Sequence, residues 1–155
     1  ISTAIDWFGS AELKTATVRS IRGAADDDSV LVLRHASGVM SYLSASAVAG
    51  APGPRIRVLG SQGALVINDL DPQEALLRQG KFPENGVWSE PTKSRAYIHR
   101  GDEVEEIESI SGNYALFYSH VGMAISGSGQ WPIPNDDALQ VAQIIDQARE
   151  MNLNA

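Results

Sequence analysis

The stretch SVLVLRHASGVMSYLSASAV (residues 29–48) contains two strand-like segments on either side of a Ser-Gly turn. Its first half is strongly hydrophobic, and its second half alternates small polar with apolar side chains. Alternation with a period of two indicates a strand, and a turn between two such runs indicates an antiparallel hairpin. Met40 and Tyr42 should then share one face of the sheet. Val39 and Leu43 should share the other, so that both faces are suited to burial.

Further strands flank this hairpin on both sides. β-Branched or alternating segments occur at residues 15–22, 55–60 and 64–69, and a second hairpin at 95–110 turns at a Gly-Asp pair. A short helical segment, residues 72–79, ends at a glycine. The strands are connected by short turns, which predicts a largely antiparallel open sheet.

Helices are predicted at both ends of the chain. ISTAIDWFG (1–9) has apolar residues at helical spacing and a glycine where a left-handed cap would end the helix. A second helix covers residues 113–126, and its apolar stripe is expected to pack Phe117, Tyr118, Val121 and Ile125 against the sheet, with His120 outside the stripe. A third begins after Pro134, with Asn135 as its N-cap. The apolar face predicted for this third helix is Leu139, Ala142, Ile145, Ala148 and Met151.

This order of elements predicts an α+β fold, an open, largely antiparallel sheet with helices packed on one face. Residues 1–155 form one predicted domain, since neither a repeat nor a linker divides them. The first helix begins at Ile1 without a capping residue. We therefore expect the sequence to be a fragment of a longer chain, with a processed mature protein as the alternative.

The composition limits the partners. With 43% hydrophobic and 20% charged residues, the chain is globular. Its net charge of −7, with Lys and Arg scattered singly, argues against nucleic acid, and no apolar run approaches the ~20 residues that span a bilayer. The absence of cysteine excludes disulfides and thiolate metal sites. We expect a cytoplasmic protein that does not act on membranes.

The usual motifs of catalysis and ligand binding are absent. Gly60 and Gly63 are followed by strand residues, so they predict a hairpin turn and not a dinucleotide loop. The run 26–28, Asp-Asp-Asp, lacks the ligand spacing of a calcium loop, and a solvated turn is the favoured reading. The three histidines are too widely spaced to indicate a metal site. No serine occupies a nucleophile elbow.

Three residues remain as candidate substrate contacts. GNYALFYSHVGMAI (112–125) could be an aromatic reactive site or a packed helix, and its stripe favours the helix. Asn113 and Tyr114 stand at the entrance of that helix, where a side chain can point at a ligand. Trp88 lies in the irregular segment 81–94, and an aromatic residue on a long loop often covers a pocket or an interface.

Several motifs, in order, resemble the C-terminal domain of the Gfo/Idh/MocA oxidoreductases, the glucose–fructose oxidoreductase and inositol dehydrogenase group. They cover nearly the whole chain. The motifs are WFG (7–9), DDDSVLVLRHASG (26–38), Pro54-Arg55 leading into a strand, GSQGALVI (60–67) and the closing GNYALFYSHVGMAISGSGQWPIPNDDALQVAQIIDQA (112–148).

This resemblance implies a parent enzyme of two domains, of which this chain would be the C-terminal fragment. An N-terminal Rossmann domain would bind NAD or NADP, and this chain would supply the substrate side and, through its open sheet face, a homo-oligomer surface. The family's lysine would lie in that other domain, and its Asp and His would precede Ile1 on the entering helix. No catalytic residue, cofactor-binding residue or metal ligand is therefore assigned to this chain, which alone should bind no cofactor and be inactive.

The activity implied is hydride transfer between a nicotinamide and a carbon bearing a hydroxyl, in a sugar, polyol or related compound. Two alternatives stay open. The protein could be a family member that has lost catalysis and serves as a scaffold or regulator. It could also be a stand-alone module that binds a small ligand or a partner.

Overall fold

The structure of this chain is a computed structural model. It describes residues 1–51, 53–69, 71–82, 95–108, 110 and 112–153. Of residues 152 and 153 it describes the backbone only. The described residues divide into a first unit, 1–50 and 133–155, and a second unit, 51–132. The elements are α1 (Ser2–Phe8), β1 (Ala11–Arg19), β2 (Asp28–His35), β3 (Met40–Ser46), β4 (Ile56–Gly60), β5 (Gly63–Ile67), α2 (Pro72–Arg78), β6 (Arg95–Arg100), β7 (Glu103–Glu108), α3 (Tyr114–Ile125) and α4 (Asn135–Leu153).

The first unit contains an antiparallel sheet in the order β1-β2-β3. The predicted hairpin is confirmed: β2 and β3 pair with Val32 opposite Tyr42, and Gly38 turns the chain with a φ of 87°. Glycine is favoured at such a positive φ because it has no Cβ. Met40 and Tyr42 lie on one exposed face, and Ser41 is buried on the other.

The core of the first unit lies between this sheet and two helices. Helix α4 packs on β1 and contacts α1. Each large aliphatic side chain buried there contributes about 1.5–3 kcal/mol relative to exposure. The buried cluster consists of Ile5, Leu13, Leu31, Leu33, Ile144 and Ala148.

The buried face of α4 differs from the predicted one. Ile144 and Ala148 are buried and Val141 is partly buried, a short stripe at i, i+3, i+7. The predicted face is wrong apart from Ala148, because its other described members, among them Ile145, are exposed. The adjacent Gln140 gives a physical reason: its Oε1 accepts from the Ala11 amide at 3.2 Å, which turns this side of the helix toward β1.

The start of α4 is also corrected. Asn135 was predicted to be the N-cap, the residue that precedes the helix, but it is the first residue of the helix itself. The carbonyl of Pro134 accepts a hydrogen bond from the Ala138 amide at 3.2 Å, so the first helical bond already closes on Pro134.

The second unit contains an antiparallel sheet in the order β4-β5-β6-β7. Gly60 pairs with Gly63 at the predicted hairpin turn, and β6 and β7 form the second predicted hairpin around Gly101, whose φ is 60°. All six residues of β7 are exposed, as expected for a strand rich in glutamate at a sheet edge.

Helix α3 is less buried than predicted. None of its twelve residues is buried, and Tyr118 and Ile125 are 70% and 78% exposed. The least exposed side includes His120 and Val121, so the helix is rotated relative to the expected stripe. Apolar side chains occur all around α3, and no charged residue marks an outward face. The pattern therefore did not define a single inward side.

The α+β class with open antiparallel sheets is confirmed, although the described strands form two sheets where a single one was expected. Helix α1 ends at Gly9, as predicted, with a φ of 81°. Within the described part of the chain, no helix combines the length and the apolarity needed to cross a bilayer.

Candidate functional site

Two of the predicted contact residues, Asn113 and Tyr114, form the entrance of α3. Asn113 is the N-cap, and its Oδ1 accepts a hydrogen bond from the Leu116 amide at 3.0 Å. This bond satisfies one of the free amides of the first helical turn and holds the exposed Asn113 side chain at the helix end. The predicted helix entrance is therefore confirmed as a local structure.

A buried glutamine joins this entrance to the start of α2. Gln73 is fully buried, and its Oε1 accepts a hydrogen bond from the Tyr114 amide at 3.0 Å. Its Nε2 donates to Asp71 Oδ2 at 2.9 Å, and its own amide donates to Asp71 Oδ1 at 2.9 Å. A buried polar group is costly unless it is hydrogen-bonded, and these bonds satisfy both ends of the amide. Gln73 therefore fixes where the α3 entrance lies in the second unit.

The residue before Asn113 has to be glycine. A Cβ on Gly112 would lie 1.9 Å from Asp71 Oδ2 and 2.2 Å from Gln73 Nε2. No side chain can approach carboxylate and amide atoms so closely. Gly112 thus lets the chain pass against the Asp71–Gln73 pair before α3 begins.

The Tyr114 side chain remains available. Tyr114 is 42% exposed, and its hydroxyl forms no hydrogen bond with the described residues. The entrance therefore offers a phenol, an amide side chain and nearby apolar surface. These groups can orient a hydroxyl-bearing molecule by hydrogen bonds. Both Asp71 oxygens already accept hydrogen bonds, so that carboxylate serves the start of α2.

The third predicted contact, Trp88, lies outside the described residues. Sequence reasoning missed Gln73, although Asp71 followed by Pro72 indicates a helix start at that point. The hydrogen bond between Gln73 and Tyr114 joins residues 41 positions apart in sequence, so the local pattern around Gln73 does not indicate it.

The acidic turn is an ion-paired structure. Asp27 accepts hydrogen bonds from the amides of Ile21 (2.8 Å) and Arg22 (3.0 Å), and these bonds, that of Ile21 first, lower the pKa of its carboxyl. Asp28 pairs with Arg19, and a hydrogen bond from Ser46 followed by that pair lowers its pKa. No cluster of three or more potential metal ligands occurs among the described residues.

A second polar constellation surrounds His35 in the first unit. The ring is buried, with Nδ1 2.7 Å from the Gly9 carbonyl oxygen and Nε2 2.8 Å from Ser41 Oγ. Strand alternation carried a signal for this site, since Leu31, Leu33 and His35 share the inward face of β2. An open groove of about 460 Å³ adjoins it, with Glu12, Arg34 and Gln140 in its lining.

Comparisons with known proteins agree over nearly the whole chain. The family model described as "Oxidoreductase family, C-terminal alpha/beta domain" (GFO_IDH_MocA_C) matches residues 1–152. The chain is 30% identical over 155 residues to the oxidoreductase YdgJ of Escherichia coli K12, a match that covers 94% of this chain and 43% of YdgJ.

Two further relatives extend this finding. The scyllo-inositol 2-dehydrogenase (NADP(+)) IolW of Bacillus subtilis 168 is 26% identical over 156 residues, covering 97% of this chain and 44% of IolW. A solved oxidoreductase structure from Bacteroides fragilis NCTC 9343 superposes with a TM-score of 0.77 at 28% identity, covering 97% of this chain and 48% of that one. The chain spans less than half the length of YdgJ, of IolW and of this solved structure.

Proposed function

This chain belongs to the Gfo/Idh/MocA oxidoreductase family and matches the C-terminal alpha/beta domain of that family. From this membership we propose that the chain is the substrate-binding and oligomerisation domain of an NAD(P)-dependent oxidoreductase. The substrate class is a sugar, a polyol or a related hydroxyl compound. The family match over residues 1–152 carries this proposal. The name of the relative IolW, an NADP(+)-dependent dehydrogenase of scyllo-inositol, supports both the cofactor and the substrate class.

The cofactor would be held by another part of the protein. A dinucleotide needs a glycine-rich turn between a strand and a helix, so that the helix N-terminus faces the pyrophosphate. Gly60 and Gly63 pair across the β4–β5 hairpin and are followed by strand, which does not fit that requirement. We place the nicotinamide site, the lysine, and the Asp–His acid/base pair that precedes α1 outside this chain.

The α3 entrance would contact the substrate. Tyr114 offers a hydroxyl, and Asn113 offers an amide side chain beside it. The Gln73 bond to the Tyr114 amide keeps this backbone in place before a ligand arrives. Such preorganisation reduces the entropy lost on binding. Trp88 is the third proposed contact.

The outer face of the first sheet would form the oligomer interface. Met40 and Tyr42 are exposed on β3, and Val30 is exposed on the same face of β2, two residues from Val32, the partner of Tyr42. Exposed apolar side chains grouped on one sheet face are typical of a surface that another subunit covers. This surface is proposed for self-association of identical chains.

A kinetic comparison tests the substrate role. In the full-length protein, Tyr114→Phe should raise KM for a polyol substrate about tenfold, because one hydrogen bond to the substrate is lost. Tyr118→Phe is the matched control, since it removes an exposed phenol from the same helix and should leave KM unchanged. Equal KM values for Tyr114→Phe and wild type would remove Tyr114 from the site.

Calorimetry and sequence tests separate the other readings. This chain alone should bind no NAD(P)H, whereas the full-length protein should bind it. If the full-length protein lacks the catalytic lysine and histidine and turns over no hydroxyl compound, it is the inactive scaffold. If an open reading frame begins at or near Ile1, the chain is a stand-alone module and the oxidoreductase proposal is wrong.

A further inference from the structure

The buried His35 has both ring nitrogens engaged within the first unit. Its Nδ1 lies 2.7 Å from the Gly9 carbonyl oxygen, and its Nε2 lies 2.8 Å from Ser41 Oγ. A carbonyl oxygen can only accept, so Nδ1 carries the proton and donates to Gly9. Nε2 then accepts from the Ser41 hydroxyl. The Gly9 carbonyl therefore selects the tautomer, and the Ser41 hydroxyl, which can donate or accept, completes the pair of hydrogen bonds on the ring.

The last residue of β2 and the turn that follows it donate hydrogen bonds to three consecutive carbonyl groups, those of residues 8–10 at and just after the end of α1. Ser37 Oγ donates to the first at 2.9 Å, His35 Nδ1 to the second at 2.7 Å, and the Ala36 amide to the third at 2.9 Å. The Phe8 ring also packs edge-on against the His35 ring, with the centroids 5.5 Å apart. Carbonyls at a helix C-terminus lack partners within the helix, and here the turn supplies them.

We propose that His35 is a positioning residue that fixes the direction of α1 by holding the Gly9 carbonyl. The inference rests on the proposed function, in which α1 continues the helix that carries the acid/base pair of the active site. A displacement of about 1 Å at reacting groups can reduce a rate about 100-fold. An anchor at the distal end of the helix therefore affects the chemical step without any contact with the substrate.

His35 is suited to this role because the ring joins two elements through opposite edges. One edge of the ring holds the end of α1, and the other is held by the hydroxyl of Ser41, a β3 residue that is 8% exposed. Two substitutions test the two hydrogen bonds of the ring one at a time. In His35→Asn the side-chain amino group takes the place of Nδ1 and can still donate to Gly9, whereas in His35→Gln the amide reaches toward Ser41 and the bond to Gly9 is lost.

The first test is structural and does not depend on activity. In the full-length protein labelled with 15N, the imidazole spectrum of His35 should show a protonated Nδ1 and an unprotonated Nε2. Hydrogen exchange at the amides of residues 4–9 should become roughly tenfold faster in His35→Gln, because a buried bond is lost. His35→Asn should restore most of the protection. His99→Gln, a histidine substitution in the second unit, should leave this segment unchanged.

The second test is kinetic. His35→Gln should lower kcat about tenfold or more with little change in KM, and His35→Asn should recover most of kcat. Loss of packing alone would affect both variants equally. A kcat that is equally low in the two variants would therefore overturn the positioning role.

The remaining outcomes are also decisive. An Nδ1 without a proton, or unchanged exchange in His35→Gln, would show that the ring does not hold α1, and the proposal would be wrong whether or not the protein is active. If the exchange results are as expected but the wild-type protein oxidises and reduces no hydroxyl compound, the proposed function fails. The catalytic part of this inference then fails with it, while the anchoring of α1 stands.

Discussion

Gln73 and Tyr114 are 41 residues apart in sequence, yet the Tyr114 amide donates a hydrogen bond of 3.0 Å to the buried Gln73 side chain. The first turns of α2 and α3 are therefore joined by a side-chain amide and not by apolar packing alone. Because Gln73 also binds Asp71, the N-cap of α2, one residue serves both helix starts.

The first prediction concerns this bond. Gln73→Met keeps the approximate size but leaves the Tyr114 amide and an Asp71 oxygen without their partner. The free energy of unfolding should fall by about 1–3 kcal/mol, the usual cost of unsatisfied buried polar groups. Urea unfolding followed by fluorescence measures this change. Gln79→Met, at an exposed position that ends α2, is the control and should change stability by less than about 0.5 kcal/mol. Equal stability of the two variants would contradict the role given to Gln73.

The second prediction concerns the close approach at Gly112. Gly112→Ala places a Cβ against Asp71 and Gln73, so the α3 entrance has to move and the free energy of unfolding should fall by about 2 kcal/mol or more. Gly122→Ala is the matched control, since a Cβ there meets nothing within 4 Å. Alanine favours a helix over glycine by about 0.5–1 kcal/mol, so this control should stabilise the chain. Opposite signs in thermal unfolding are expected, and a stabilising Gly112→Ala would show that the approach is looser.

The hairpins of the fold could be predicted from sequence because their signals are local. Gly38 and Gly101 stand where each chain reversal requires a positive φ, and the alternation on both sides places each side chain on a face. The apolar stripe of residues 113–126 likewise located the entrance of α3, which begins at Tyr114 with Asn113 as its N-cap.

Long-range contacts could not be predicted in the same way. The polar partners of Gln73 and His35 depend on which residues the fold brings together. The pattern of a single sequence gives no sign of such pairs. The face of α4 was missed for a related reason. Ile144 and Ile145 both fit an apolar stripe, so the pattern alone does not choose between them. The buried side is the one on which Gln140 bonds to the Ala11 amide, and that bond is not visible in the sequence.

The third prediction uses that pair of neighbouring isoleucines. Ile144 is 2% exposed in the core of the first unit, whereas Ile145 is 38% exposed. Ile144→Ala should reduce the free energy of unfolding by about 2–5 kcal/mol, through lost burial and a cavity. Ile145→Ala is identical in chemistry and should cost less than about 1 kcal/mol. The denaturant midpoint of each variant, compared at an unchanged dependence of the unfolding free energy on denaturant concentration, measures both effects. The reverse order would support the apolar face predicted from sequence.

The fourth prediction concerns pH. The amides of Ile21 and then Arg22 lower the pKa of Asp27 in the folded chain. A depressed carboxyl pKa contributes stability above the unfolded pKa of about 4, and this contribution is lost as the pH falls through the lower folded value. The stability difference between wild type and Asp27→Asn should therefore shrink below about pH 4. Asp6→Asn removes the same charge from exposed α1 and corrects for net charge. A difference that stays constant down to pH 2 would contradict this account.

The fifth prediction concerns self-association through the first sheet. Tyr42 is 75% exposed on β3, beside the exposed Met40, and a charge placed there would have to be desolvated in a sheet-to-sheet interface. Tyr42→Glu should therefore convert an oligomer at micromolar concentration into a monomer in sedimentation velocity. Tyr118→Glu introduces the same charge at an equally exposed tyrosine on α3 and should leave the oligomer intact. If Tyr118→Glu dissociates the oligomer and Tyr42→Glu does not, the apolar surface of α3 is the interface, and the outer face of the first sheet has another role.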